Sequence, residues 1–384
     1  MKKLFVCALA VAMVFAFTAP TMAADWNFYG SARMATFSND VDPQKAGKES
    51  DTDTDWSLQG NARIGANVSA GDVSGRFEYS STPGLRILWG EWNFGAGSLG
   101  LGQHYTPIAE FYSNQVWGGD EDLLSNGMAY HGRRAQIQLK FGGFQLAFVE
   151  PNVSATASRG KTIAGSTATT AGGTPVTTAT AKYGEVDTTL PAIVAAYKFS
   201  TDMFSVKPYL GWQSYDSTTG VITSTQQESV DSLVYGIGGK VNFGPAFFAA
   251  NIWGGTNAGN FGMAIADVKD KDNAGFARVD GTTGKIVDNT TLAYALVLGV
   301  KASDMFIIEG GYGASNSEVD AYTGNAKEED TSYSYYINCT INLAPGVFVV
   351  PEFGKYSLDE VKKGGVATKQ DETTYFGAKW QINF

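Results

Sequence analysis

The side chains with most capacity for chemistry gather around one non-periodic stretch, Thr106 to Arg134. It carries Trp117-Gly118-Gly119-Asp120-Glu121-Asp122 and ends in Arg133-Arg134. Arg33, Arg63, Arg76 and Arg86 precede it on segments of alternating polarity. Carboxylates facing guanidinium groups across a narrow wet gap set up a transverse field. Such a field orients dipolar solutes, penalises apolar ones and sets ion preference. Covalent chemistry has less to work with. Acid–base catalysis usually wants a His beside a Ser or an Asp. The two histidines, His104 and His131, bracket the stretch but sit in no nucleophile motif. Asp51, Asp53 and Asp55 have the alternate spacing of a calcium loop. However, Trp56 stands where that loop needs Gly, and Ala62 where it needs Glu. An acidic, solvated loop is expected there, with a looser divalent site as the alternative.

Groups so far apart in sequence must be brought together by ordered segments, and those segments read as strands. Trp56, Leu58, Gly60, Ala62, Ile64, Ala66 and Val68 alternate with Ser57, Gln59, Asn61, Arg63, Asn67 and Ser69. Period two held this long suits a tilted strand that crosses a bilayer and projects beyond it. The pattern predicts sixteen strands, at about 25–37, 56–70, 73–81, 85–94, 98–106, 134–141, 144–150, 189–199, 204–214, 230–243, 246–254, 291–302, 305–313, 332–343, 347–356 and 372–384. The number is even, as bacterial outer-membrane barrels require.

The connections separate a barrel from a soluble sandwich. Tight turns such as Ala70-Gly71-Asp72, Gly142-Gly143, Gly244-Pro245 and Ala344-Pro345-Gly346 alternate with mostly long polar loops near 38–55, 107–133, 151–188, 215–229, 255–290, 314–331 and 357–371. A barrel with a periplasmic and an extracellular rim segregates loop lengths in this way. A sandwich has no reason to. Phe94, Phe141, Phe144, Phe199, Phe204, Phe243, Phe247, Phe306 and Phe348 flank the turns and read as an aromatic girdle at headgroup level. In a closed barrel, the stretch 107–133 is the segment expected to fold inward and narrow the hole. Residues 151–182 form a Ser/Thr/Ala/Gly-rich tract that cannot bury a core, so an outer loop is expected there.

Composition agrees. Residues 1–23 read as a secretory signal: Lys2-Lys3, an apolar run from Leu4 to Phe17, and the small-residue site Thr21-Met22-Ala23. Cleavage there leaves Cys339 as the lone cysteine of a single domain, 24–384, with no disulfide framework. It also takes the net charge from −10 to −12, which argues against a nucleic-acid partner. No later run reaches the apolar length of a spanning helix, although the chain holds 23 Phe, 18 Tyr and 8 Trp. No cofactor or metal is implied.

In these features the sequence resembles the Gram-negative general diffusion porins. The family's Pro-Glu-Phe-Gly-Gly-Asp loop tip is similar to Gln115-Val116-Trp117-Gly118-Gly119-Asp120, and its Tyr-Ala-Arg-Leu-Gly second strand to Asn61-Ala62-Arg63-Ile64-Gly65. Its fourth-strand Arg matches Arg86, and the Arg opening its sixth strand falls at Arg133. The chain departs from the family where Val116 replaces a constriction Glu, and where the subunit-latching second loop shrinks to Ser81-Thr82-Pro83-Gly84. The resemblance implies a sixteen-stranded all-β transmembrane barrel in the outer membrane. It further implies a homotrimer among lipid and lipopolysaccharide, passing small hydrophilic solutes and ions. The constriction would set Asp120, Glu121 and Asp122 against Arg33, Arg63, Arg76, Arg86, Arg133 and Arg134, with Trp117, Gly118 and Gly119 at the loop tip. The alternating C-terminal strand with Trp380, Ile382 and Phe384 resembles the signal read by the barrel assembly machinery. A substrate-specific channel, a barrel enzyme and a purely structural barrel are the competing readings.

Overall fold

A strand with one polar and one apolar face can satisfy both only between two media, and the chain is arranged accordingly. A computed structural model describes residues 24–44, 49–82, 84–153, 186–221, 224–266, 275–280 and 282–384. The expected leader and most of the 151–182 tract lie outside the described residues. The backbone forms sixteen antiparallel staves closed into a barrel. In chain order they are β1 Asp25–Asp42, β2 Asp51–Leu58 continued by Arg63–Ala70, β3 Val73–Ser80, β4 Leu85–Asn93, β5 Ser98–Tyr105, β6 Arg133–Phe141, β7 Phe144–Val149 and β8 Ala192–Tyr197. The remainder are β9 Phe204–Val221, β10 Ser224–Phe243, β11 Ala246–Thr256, β12 Asn289–Lys301, β13 Phe306–Val319, β14 Glu328–Ala344, β15 Val347–Lys363 and β16 Glu372–Asn383. Each stave pairs with the next. β16 returns to β1, and the Gly30 and Phe384 backbones exchange hydrogen bonds at 2.7 and 3.0 Å. Closure leaves no sheet edge, the condition for strands to stand in hydrocarbon.

Alternation sorts the side chains. On β11, Asn251 is 2% exposed and faces inward while Ile252, 50% exposed, faces out. Phe141, Phe144, Phe199, Phe204, Phe243 and Phe306 are likewise exposed. Phe247 and Phe348 correct the expected girdle, because parity turns them into the lumen. The Phe247 ring lies under Lys240, and Phe348 lines the internal cavity described below.

Two further differences concern strand ends. The run 56–70 is not one continuous strand. Met34 pairs with Leu58 and Ser31 with Arg63, so β2 carries two extra residues, which form a tight turn at 59–62. Asp51–Leu58 is also strand rather than acidic loop. β1 runs on to Asp42 and offers it a backbone partner, and that pairing overrides the poor strand preference of Asp. For the same reason β9, β10, β13, β14 and β15 extend beyond their predicted outer ends. Apolar alternation stops where lipid stops, but the hydrogen-bond ladder does not need it.

The barrel is filled on one side. Inward residues Ala147, Val149, Ala192, Val194, Tyr209, Val234, Trp253 and Ala293 form an apolar core with Ile108, Ala129, Ala258, Phe261 and Met263 from two loops. A core inside the barrel means that those loops enter it.

Candidate functional site

The loop 106–132, between β5 and β6, crosses the lumen and is tied down along its length by inward side chains of the far wall. Lys207 pairs with Glu110 at 2.9 Å near its start. Next, the Asn114 amide donates to Glu309 at 2.6 Å, and the Val116 and Trp117 amides donate to the two oxygens of Glu352 at 2.8 and 3.0 Å. The Gln115 side chain reaches Ser334 and Tyr375 at 2.9 and 2.8 Å. On the return leg, Asn251 and Trp253 donate to the Gly127 carbonyl at 2.9 and 3.1 Å. Gly127 has φ of +100°, and a Cβ there would overlap the Tyr294 carbonyl, so only glycine lets the loop lie this close to the wall. Buried amides need acceptors, and Glu309 and Glu352 supply them. Val116 packs with Ala35, Phe37, Val350 and Tyr375. A Val there gains about 1.5–3 kcal/mol from burial, whereas a carboxylate would be stranded.

The loop tip is set by a left-handed run. Gly118, Gly119 and Asp120 have φ of 65°, 89° and 66°. Trp117 anchors it, stacked on Tyr375 with centroids 4.6 Å apart and its indole donating to Asn39 at 2.8 Å. The turn then projects Asp120 at the wall, where Arg33 of β1, Lys379 of β16 (2.9 Å) and Asn61 of β2 (2.8 Å) converge on its carboxylate. Gln59, from the same β2 turn as Asn61, donates to the Val116 carbonyl at 2.9 Å. The interruption in β2 thus serves the site: it brings two amide side chains inward to hold the loop.

Beside the tip, Glu78 of β3 is completely buried among three arginines, at 2.7 Å from Arg86, 2.8 Å from Arg76 and 3.5 Å from Arg63. The Tyr29 hydroxyl donates to it at 2.8 Å. A cavity of about 660 Å3 lies between this cluster and the loop. Arg33, Arg63, Arg86, Arg133 and Lys379 line it, against the carboxylates of Asp120 and Asp122. The loop lies outside the spanning strands, and its acids diverge. Burial alone would raise Asp120, but Lys379 and Arg33 overcome it and hold its carboxyl below the usual range. Burial, then the charge of Asp120, pushes Asp122 well up, and burial raises Glu121. Five cationic side chains against two carboxyl groups, three with Glu78 behind them, leave the cavity cationic on balance.

Comparison with known proteins agrees with this geometry at the level of fold. No family model and no curated protein matches the sequence. Solved structures do match. The outer membrane channel DcaP of Acinetobacter baumannii is similar with a TM-score of 0.61 and 17% identity, over 94% of this chain and 97% of that one. OmpF of Salmonella typhi gives 0.55 and 12%, over 93% and 97%. An anion-selective porin from Comamonas acidovorans gives 0.52 and 14%, over 94% and 100%. The chain has the outer-membrane porin fold.

Within this porin barrel, the residues singled out from sequence divide into groups. Arg33, Arg63, Arg86 and Arg133 share the cavity with Gly118, Gly119, Asp120 and Asp122. Arg76 lies apart, beside a second cavity of about 400 Å3 with Glu91, His104 and Lys140. Arg134 turns away to the carbonyls of His131 and Gly262. Among the described residues, neither Glu121 nor Asp122 makes an ion pair. Trp380 and Ile382 face outward on β16, and they and Phe384 just after it are exposed. The two histidines are separated. His104 lies against Trp89, while His131 is fully buried, with Nε2 3.0 Å from the Phe261 carbonyl.

Sequence reasoning missed Glu78, Lys379, Glu309 and Glu352, although each falls on the inward parity of its strand. It also missed a second inward loop after β11. The turn Ala258–Phe261 is fully buried, and Phe261 stacks on His131 at 4.3 Å. The Ala264 and Ala266 amides donate to Tyr130 and Ser125 of the first loop at 2.9 and 2.7 Å. One loop straps the other.

Proposed function

We propose that the protein is a passive channel of the Gram-negative outer membrane, carrying small hydrophilic solutes and ions through the lumen beside the 106–132 loop. The observation that carries this reading is a closed sixteen-stave barrel whose inward loop leaves a charged cavity of about 660 Å3. Arg33, Arg63, Arg86 and Arg133 with Lys379 form the basic side of the constriction. Asp120 and Asp122 form the acidic side. The excess of cations favours anions, by the logic of charged rings in pores. The chain would be exported through a cleaved signal at residues 1–23 and handed to the barrel assembly machinery by its C-terminal strand. It would stand in lipid and lipopolysaccharide as a homotrimer; a trimeric form is known for one similar structure, OmpT of Vibrio cholerae. No enzymatic step is proposed; among the described residues His104 lies against Trp89 and His131 against Phe261.

Planar-bilayer recording tests the reading. Purified protein should give steady conductance steps that grow in proportion to salt concentration. A folded barrel that inserts without conducting would sink the proposal.

A further inference from the structure

Among the described residues, the cavity contains one arginine that no carboxylate of the protein neutralises. Arg33 is engaged by Asp120, and Arg63 and Arg86 by Glu78. Among the described residues, Arg133 has no carboxylate partner. Its guanidinium lies 5.2 Å over the Tyr105 ring, and Nη1 donates to the Tyr105 hydroxyl at 3.0 Å, which leaves most of its planar fork unused. Next to it stands an apolar ring in an unusual place. Phe111, on the inward loop, is 46% exposed and lines the same cavity. It meets Tyr105 edge-on at 5.1 Å and Tyr130 at 5.8 Å, so three rings form a ledge beside the open guanidinium.

A channel relying on its field alone gains nothing from an apolar ring in contact with lumen water, where its unburied area is a cost. The ring becomes favourable when a second apolar surface covers it. A guanidinium fork matches a carboxylate bidentately, and a rigid aromatic ledge suits a planar apolar body attached to that carboxylate. Pockets that bind small organic ligands combine these features: mostly apolar contact and a few convergent polar groups.

We infer that Arg133, with Phe111, Tyr105 and Tyr130, forms a binding subsite for small aromatic carboxylates, the carboxylate on the guanidinium and the ring on the ledge. This rests on the channel reading above and adds a saturable step to it. Occupancy would place the solute beside Arg86 and Arg63, the next cations lining the cavity.

The test is ion-current block in planar bilayers, with benzoate, acetate and benzylammonium as probes at fixed ionic strength. Benzoate should interrupt the current saturably, and acetate should need at least about tenfold higher concentration for the same effect. Benzylammonium, with the same ring and opposite charge, should not block. Arg133→Gln should weaken the benzoate block about tenfold, as expected for loss of a charged hydrogen bond. Arg133→Lys, which keeps the charge but not the fork, should weaken it less. Phe111→Ala should weaken it about threefold or more. Arg134→Gln removes a neighbouring charge outside the cavity and should leave the block as it is. Steady conductance with equal block by benzoate and acetate, or block indifferent to both Arg133 and Phe111, overturns the subsite while the channel reading stands. Absence of any conductance removes both.

Discussion

At the residue scale, the consequential group is Glu78. It holds three arginines that would otherwise repel one another, and it lowers the positive charge presented to the cavity. Replacing it by Gln leaves that cluster without a counter-charge. In a dry interior, breaking such a pair costs about 3–5 kcal/mol. Here the cost should be smaller, because Arg76 keeps a third of its side-chain surface in water. Glu78→Gln should therefore lower the unfolding temperature modestly and shift the channel further toward anions in a salt gradient. An unchanged reversal potential would mean that the Glu78 charge is not felt in the conducting path. The alternation of β3 already places Glu78 on the face of Arg76. What the sequence does not reveal is which arginines spend their charge internally, because that depends on side chains from three neighbouring staves meeting around one carboxylate.

At the scale of elements, the two inward loops stabilise each other. The loop 106–132 hangs on Glu309 and Glu352 at one wall and on Asn251 at another, and the segment 257–266 closes over it. Phe261 is the joint: fully buried, stacked on His131, and in the core with Ile108 and Tyr209. Phe261→Ala should loosen this strap by up to about 3–5 kcal/mol, the usual cost of emptying an aromatic site. The expected readouts are faster hydrogen exchange at Ala264 and Ala266 and noisier open-channel current, with the barrel still closed. Exchange unchanged at both amides would contradict the strap. Strand alternation made the wall legible, down to its closure at the last residue. The entry of a second loop was not legible, since Asn257 to Ala266 reads in sequence as one more stretch between strands. Its burial comes from Gly211 leaving room for the Phe261 ring, a fit between segments far apart in the chain.

At the scale of the molecule, the barrel is divided into a packed side and a charged passage. Apolar inward residues of β7 to β12 support the loops, while β1, β2, β4, β6 and β16 supply the cations of the cavity. This polarity was not read from the sequence: that Ala147, Ala192 and Ala293 leave room for packed loops shows only once the loops are seen to enter the barrel. The exposed apolar belt outside allows a trimer, which native mass measurement in mild detergent should report as three chains per particle. A single-chain particle would contradict it.

If the charges around the inward loop govern what passes, the reversal potential across a dilute salt gradient must respond to them. The native protein should prefer anions, and the potential should shift toward cations when Arg63, Arg86 and Arg133 are replaced together by Gln. Asp120→Asn should shift it the other way, by freeing Arg33 and Lys379. Both shifts should shrink as the screening length falls from about 10 Å at 0.1 M to about 3 Å at 1 M salt. Steady conductance with a reversal potential indifferent to both sets of substitutions would contradict control of permeation by these charges.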